Sequence, residues 1–131
     1  VHELLTLASI IEREAVIPQE HSLISAVFWN RLKREMPLQA DPTVQYAVGK
    51  DRQALTREDL RVESPFNTYR FRGLPPGPIA SPGKAAILAV LNPAKVNYLY
   101  FVSMDDRRHV FSTTLEQHNS AVARYRLARA Q

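Results

Sequence analysis

The chain contains no cysteine. That absence excludes a disulfide scaffold, a thiolate metal site and a cysteine nucleophile, while leaving the compartment open. No apolar run reaches the roughly 18 residues that a membrane-crossing helix needs. No HExxH or HxxxH spacing links the histidines, so no metal-ligand motif is present and no metal or cofactor is implied. No serine stands in a GxSxG context, and "GLPPGPIASPG" is too rich in proline, which lacks an N–H, to cradle a phosphate. Repeats and low-complexity segments are also missing. The chain opens on Val1 with no basic leader, which reads as a fragment of a longer protein.

What is present describes one globular domain over residues 1–131. With 131 residues, 45% hydrophobic and 23% charged, the chain is long enough to bury a core. The net charge of +4 and pI near 9.7 favour anionic surroundings such as nucleic acid, lipid headgroups or cell-wall polymer. The basic residues are dispersed, apart from Arg70–Arg72, Arg107–Arg108 and the tail from Arg124 to Arg129.

Periodicity predicts a helix over 2–16, stopped by Pro18, and a second over 20–35, ended by Pro37. On the second, Ile24, Val27, Phe28, Arg31 and Leu32 fall at helical spacing. "DPTVQYAVG" reads as a short helix with Asp41 as N-cap, Pro42 at the first position and Gly49 as terminator. Thr56 and Asp59 form a capping-box pattern. From Ser64 to Gly83 lie five of the nine prolines and three of the four glycines, a long turn-rich loop in which "TYRF" suits a brief strand. "KAAILAVLN" at 84–92 predicts a buried helix. Antiparallel strands follow at 97–103 and 109–113, joined by "MDDRR", and then a final helix capped by Thr113 or Thr114. The expected class is α+β, mostly helical, with a small antiparallel β-hairpin.

The first helix carries two acids among aliphatic residues, in "LASIIEREAVIPQE". Residues three, four and seven apart share a helical face. Glu14 therefore neighbours Ile11, Ile10 and Leu7, whereas Glu12 neighbours Ser9, Ala8 and Leu5. Glu14 also lies in the last turn, where the helix dipole disfavours negative charge. Both effects favour a carboxyl group that keeps its proton, as a proton donor requires. Periodicity alone leaves two readings of Glu14 open, a proton donor or a solvated acid at the helix rim. Asp41 is an N-cap or a second catalytic carboxylate of the kind most glycosidases pair with the first. Gln39 beside it is a substrate contact or simply exposed. Asn67, Thr68 and Tyr69 offer hydrogen-bonding groups next to a rigid proline turn, the usual furniture of a cleft or of a stiffened surface loop. Tyr98, Tyr100 and Phe101 lie on an alternating strand and provide a stacking platform or core packing.

Taken together, "LASIIEREA", "SAVFWNRLKREMPLQADPTVQYAVG", "SPFNTYRFRGLPPGPIASPGKAAILAVLNPAKVNYLYFVS" and "HVFSTTLEQHNSAV" form an ordered set. From about Leu4 to Tyr125 they resemble the catalytic domain of the YceG-like (MltG) family of endolytic murein transglycosylases. The resemblance implies a lysozyme-like catalytic domain that cuts peptidoglycan between N-acetylmuramic acid and N-acetylglucosamine. The 6-hydroxyl of the muramic sugar attacks in place of water and leaves a 1,6-anhydro end. The family's essential glutamate is the second acid of its helix motif, which falls on Glu14. The Thr or Ser that often follows it is Ala15 here. Glu14 would give its proton to the glycosidic oxygen and then, as carboxylate, take one from the attacking hydroxyl. By similarity Gln39, Asp41, Asn67, Thr68 and Tyr69 are expected near the cleft, with the Pro75–Ile79 loop, including Pro76 and Gly77, as one wall. Tyr100 and His109 are further expected sugar contacts. The resemblance also implies peptidoglycan strands as substrate, synthases as neighbours, and a site at the outer face of the cytoplasmic membrane. The anchor would be a segment absent from this chain.

Three alternatives stand beside this expectation. One is a hydrolytic muramidase pairing Glu14 with Asp41, and another is a glycan-binding module without turnover. The third, a basic nucleic-acid binder, has no recognition motif to support it.

Overall fold

The computed structural model describes residues 1–104 and 107–130. Its order is α1 (His2–Glu14), a 3₁₀ turn at Pro18–Glu20, α2 (His21–Lys33), α3 (Asp41–Val48) and a second 3₁₀ turn at Asp59–Arg61. After the proline-rich loop come α4 (Lys84–Leu91), β1 (Tyr100–Ser103), β2 (His109–Ser112) and α5 (Leu115–Ala130). The fold is α+β and mostly helical, as expected.

α1 is the central element and packs against α2, α3 and α4. Its residues Thr6 to Ile11 are all buried, so both sides of the helix face protein. The two hydroxyls on its inner turns bond backward along the helix, Thr6 to the His2 carbonyl and Ser9 to the Thr6 carbonyl. Leu7, Ile10, Ile11, Ile24, Phe28 and Val90 form the heart of the core. α1 stops at Glu14, two residues before the predicted end. Ala15 is extended, and so is Ile17, which as the residue before Pro18 is pushed out of the helical region.

α2 binds the segment that leads into the hairpin. Trp29 Nε1 donates to the Val90 carbonyl, and Asn30 donates to those of Val96 and Tyr98. Arg31, 7% exposed, donates to the carbonyls of Leu99, Pro37 and Leu38. These bonds explain a correction at β1, which begins at Tyr100 and not at 97. The earlier carbonyls are taken by α2 side chains, leaving the ladder only Tyr100↔Ser112 to Ser103↔His109. Within the expected turn at 104–108, Met104 N donates to the Arg108 carbonyl, while Asp105 and Asp106 lie outside the described residues.

Three other expectations change. Asp41 is not the N-cap of α3: Ala40 holds that place, and Asp41 is the first helical residue. "TYRF" is a turn, because Asn67 Oδ1 accepts from Tyr69 N and the Asn67 carbonyl accepts from Arg70 N and Phe71 N. α4 is buried on one side only, through Ala86, Ala89 and Val90, whereas Leu88 and Leu91 are exposed. Two capping patterns form as read. Thr56 and Asp59 bond each other's backbone N–H reciprocally. Thr114 accepts from Gln117 N while the Gln117 side chain accepts from Thr113 N.

Candidate active site

Glu14 and Glu12 leave the end of α1 toward different partners. Glu12 Oε1 accepts from Gly83 N at 2.7 Å, which ties α1 to the residue preceding α4. Glu14 instead faces His109 of β2, with Oε1 3.5 Å from Nε2. The partner of Glu14 thus comes from the hairpin and not from its own helix. The greasy neighbours of Glu14 did not set it apart either, because Ser9 and Ala8 beside Glu12 are just as buried.

His109 is held from the opposite side by Glu20. Nδ1–H donates to Glu20 Oε1 at 2.7 Å and the backbone N–H to Oε2 at 2.8 Å. The side chain of His109 is 1% exposed, against 11% for Glu20 and 16% for Glu14. His109 is therefore not an open sugar contact, and Glu14 is the more exposed of the two acids that meet it. Burial works to lower the imidazole pKa, but hydrogen bonds to Glu14 and Glu20 and their charges outweigh it and leave it raised. Phe101 lies edge-on to the ring, 5.2 Å between centroids.

A second group lies at the start of α3. Tyr69 Oη donates to Asp41 Oδ1 at 2.5 Å. Burial, then the charge and hydrogen bond of Asp41, and then the charge of Glu14 raise the phenol pKa well beyond its ordinary range. Tyr69 is thus a fixed neutral donor that senses both carboxylates. Gln39, exposed and in the left-handed region at φ 50°, donates its N–H to the Thr68 carbonyl. Such a conformation is costly for a residue with a side chain and persists only where surrounding bonds hold it.

Asn67 and Thr68 do not open on the cleft, which corrects their expected place. Asn67 is 0% exposed and donates to the carbonyls of Leu60 and Val62. Thr68 is 1% exposed; its Oγ1 accepts from Ala40 N and meets Thr43 Oγ1. Both residues fasten the turn that presents Tyr69 and Gln39.

Two depressions flank this region. One, about 250 Å³, is lined by Arg13, Pro42, Gln45, Tyr46 and Ile79 among others, and is crossed by the Arg13–Asp51 ion pair. The other, about 300 Å³, holds Gln39, Tyr69, Tyr100, Phe101, Arg31 and His118. In it the Arg31 guanidinium lies 5.1 Å from the Tyr100 ring centre, and Tyr100 stacks on His118. Burial and the Arg31 charge lower the His118 pKa. Arg13 and Pro42, the chain neighbours of Glu14 and Asp41, line the first depression, while Tyr69, bonded to Asp41, lines the second.

Of the proline loop, only Ile79 reaches these depressions, with its N–H on Ser9 Oγ. Pro76 and Gly77 sit against His2, whose Nε2 is 2.7 Å from the Pro76 carbonyl. His2 and Glu14 are the two ends of a 13-residue helix, about 18 Å apart at 1.5 Å per residue. Pro76 and Gly77 therefore do not wall the Glu14 region, which corrects their expected place.

Sequence reasoning missed Glu20 and Arg31 as parts of this site. Arg31 left a signal, a lone cation on the apolar stripe of α2. Glu20 left none, because its partner is 89 residues away.

Comparison with known proteins follows the same lines. The chain matches the model of the YceG-like family over residues 1–124. An "Endolytic murein transglycosylase" of Bacillus subtilis (strain 168) is 49% identical over 125 residues, covering 95% of this chain and 35% of that protein. One of the same name from Streptococcus pneumoniae serotype 2 (strain D39 / NCTC 7466) is 38% identical over 131 residues, with 95% and 24% covered. A crystal structure of a YceG-like protein from Listeria monocytogenes superposes with a TM-score of 0.89 at 48% identity, over 92% of this chain and 40% of that one. The chain spans about a third of the Bacillus relative and a quarter of the Streptococcus one. With the family model matched over nearly its whole length, and a solved member superposing on the same fold, the chain belongs to the YceG-like family.

Proposed function

We propose that this chain is the catalytic domain of an endolytic murein transglycosylase and that Glu14 is its catalytic acid and base. The observation that carries the reading is the placement of Glu14. It is a partly exposed carboxyl group at the end of a buried helix, backed by an imidazole and close enough for its charge to act on Tyr69, which lines a depression. The names of the relatives support the substrate class, peptidoglycan glycan strands.

In the proposed reaction Glu14, protonated, gives its proton to the oxygen linking N-acetylmuramic acid to N-acetylglucosamine as the bond from that oxygen to the muramic C1 breaks. The Glu14 carboxylate then takes the proton of the 6-hydroxyl as its oxygen bonds to C1, which closes the 1,6-anhydro ring. The acid returns to its starting state and no water is consumed. Gln39, Asp41, Tyr69 and Tyr100 are proposed to contact the sugars, with Asn67 and Thr68 supporting them from beneath and Ile79 on the rim of the neighbouring depression. A hydrolytic muramidase would need a second carboxylate to activate water or attack the sugar. Asp41 is engaged by the Tyr69 hydroxyl, which favours the reading with one carboxyl group used twice. A site of action at the outer face of the cytoplasmic membrane, beside the synthases and on newly made strands, belongs to the same proposal.

Mass spectrometry of the products from purified peptidoglycan tests it. The expected fragments end in anhydro sugars lacking one water, whereas hydrated reducing ends would establish the muramidase instead.

A further inference from the structure

His109 and Glu20 have no role in the reaction as written, yet they are the best-held ionisable pair in the described molecule. Glu20 commits both carboxylate oxygens to one residue, the ring Nδ1 and the backbone N–H of His109. A buried carboxylate is costly unless its charge is answered, and an imidazole that bears a proton answers it. The clamp fixes the direction of the ring, so Nε2 must point away from Glu20. It points at Glu14 Oε1, 3.5 Å away, with Ser103 Oγ at 3.2 Å on the same nitrogen.

We propose that Glu20 and His109 are a positioning couple that shares one proton with Glu14 along the Nε2···Oε1 line, and that this is the proton Glu14 delivers. The identity of the receiving oxygen rests on the transglycosylase reading, whereas the sharing of the proton does not. Two arrangements hold the same number of protons. In one, Glu14 is a neutral acid whose O–H faces the Nε2 lone pair while Nδ1–H stays on Glu20. In the other, Glu14 is a carboxylate facing an imidazolium. Substrate draws the proton out through Glu14, and the 6-hydroxyl restores it.

The charged and titratable groups facing the couple come from separate elements: Glu14 from α1 and Glu20 from the first 3₁₀ turn, with uncharged Ser103 from β1. Tyr69 feels the charge of Glu14 from the α3 side and binds Asp41. The raised pKa of His109 agrees with a ring that keeps its proton where a free histidine has lost it. The glutamate and its clamp thus keep a proton above the pH at which a free histidine loses it, without an arginine or lysine having to face the acid.

The test is an NMR titration of the His109 ring in the wild-type chain, Glu14→Gln and Glu20→Gln, alongside pH profiles of kcat/KM on glycan strands. In the wild type the ring should titrate above the ordinary histidine value of about 6.5. Each variant should lower that midpoint. In Glu20→Gln the alkaline limb of the profile should move to lower pH while activity at acidic pH survives, with about a tenfold loss per pH unit of displacement beyond the limb. A purely structural role for Glu20 predicts a loss equal at every pH, and that result overturns the proposal. So does a wild-type ring that titrates at or below about 6.5, or one that Glu14→Gln leaves unmoved. Should Glu20→Gln fail to fold, the Glu14→Gln titration alone decides the matter, since Glu14 sits at the partly open end of α1. If the ring behaves as expected but the wild type cleaves no glycan at any pH, the couple stands and the transglycosylase reading falls.

Discussion

Replacing Thr68 by valine removes one hydroxyl from a closed set of hydrogen bonds beneath the cleft. Thr43 Oγ1 gives its proton to the Ala40 carbonyl at 2.7 Å, so the 2.8 Å contact between the two threonines must use the Thr68 proton. Ala40 N–H in turn donates to Thr68 Oγ1 at 2.9 Å. Valine keeps the volume but strands the N–H of Ala40, a residue 1% exposed. A buried unsatisfied donor costs about 1–3 kcal/mol, and the lost hydroxyl pair adds about 1 kcal/mol. The expected loss is therefore about 2–4 kcal/mol, or about 6–12 °C in Tm for a chain of this size. Thr68→Ser is the control, since it keeps the bonds and removes one methyl group, costing about 1 kcal/mol. Urea unfolding of the two variants compares them directly. The same substitution should lower kcat/KM at temperatures where the protein stays folded, because the Thr68 turn holds the strained Gln39. A valine variant as stable as the serine one would refute this account of the turn.

Other substitutions separate the roles assigned above. Glu12→Ala should cost about 1 kcal/mol by releasing Gly83 N, and leave cleavage intact; loss of cleavage in a folded variant would give Glu12 a part in the chemistry. Tyr69 should not ionise near pH 10, the ordinary phenol value, since burial and Asp41 hold its proton. Ultraviolet titration should then show the same tyrosinate rise in the wild type and in Tyr69→Phe, and one fewer phenol titrating in the variant would contradict it. The stability contributed by His109 has a definite sign. A raised folded-state pKa means the contribution is full below the unfolded value of about 6.5 and is lost as pH rises through the folded value. Unfolding free energy should therefore fall in that window in the wild type and fall less in His109→Gln, as measured by urea denaturation across pH.

Much of the fold was written in local pattern. The five helices follow apolar periodicity and proline stops, and the Thr56–Asp59 and Thr114–Gln117 caps depend only on residues three apart. Elements that depend on distant partners were read less well. The start of β1 is set by Asn30 and Arg31, side chains of another helix, and no alternation within residues 97–103 reports that. Asn67 and Thr68 have the chemistry of cleft residues, but the same donors and acceptors serve equally well to fasten a turn, and burial decides which. Asp41 shows the converse. A sequence that looks like a cap has its carboxylate drawn off by Tyr69, 28 residues on. For the acids of α1, periodicity and family resemblance chose Glu14 over Glu12. The structure supplies a different physical contrast: a backbone amide receives Glu12, whereas a clamped imidazole receives Glu14.

The central claim is that Glu14 is the group that gives the proton to the glycosidic oxygen and takes one from the 6-hydroxyl. Cleavage of purified peptidoglycan by Glu14→Gln, with binding to the same material and thermal unfolding followed in parallel, tests it most directly. The account predicts a folded variant that still binds glycan and releases no anhydro-ended fragments. Digestion at the wild-type rate by that variant would contradict it.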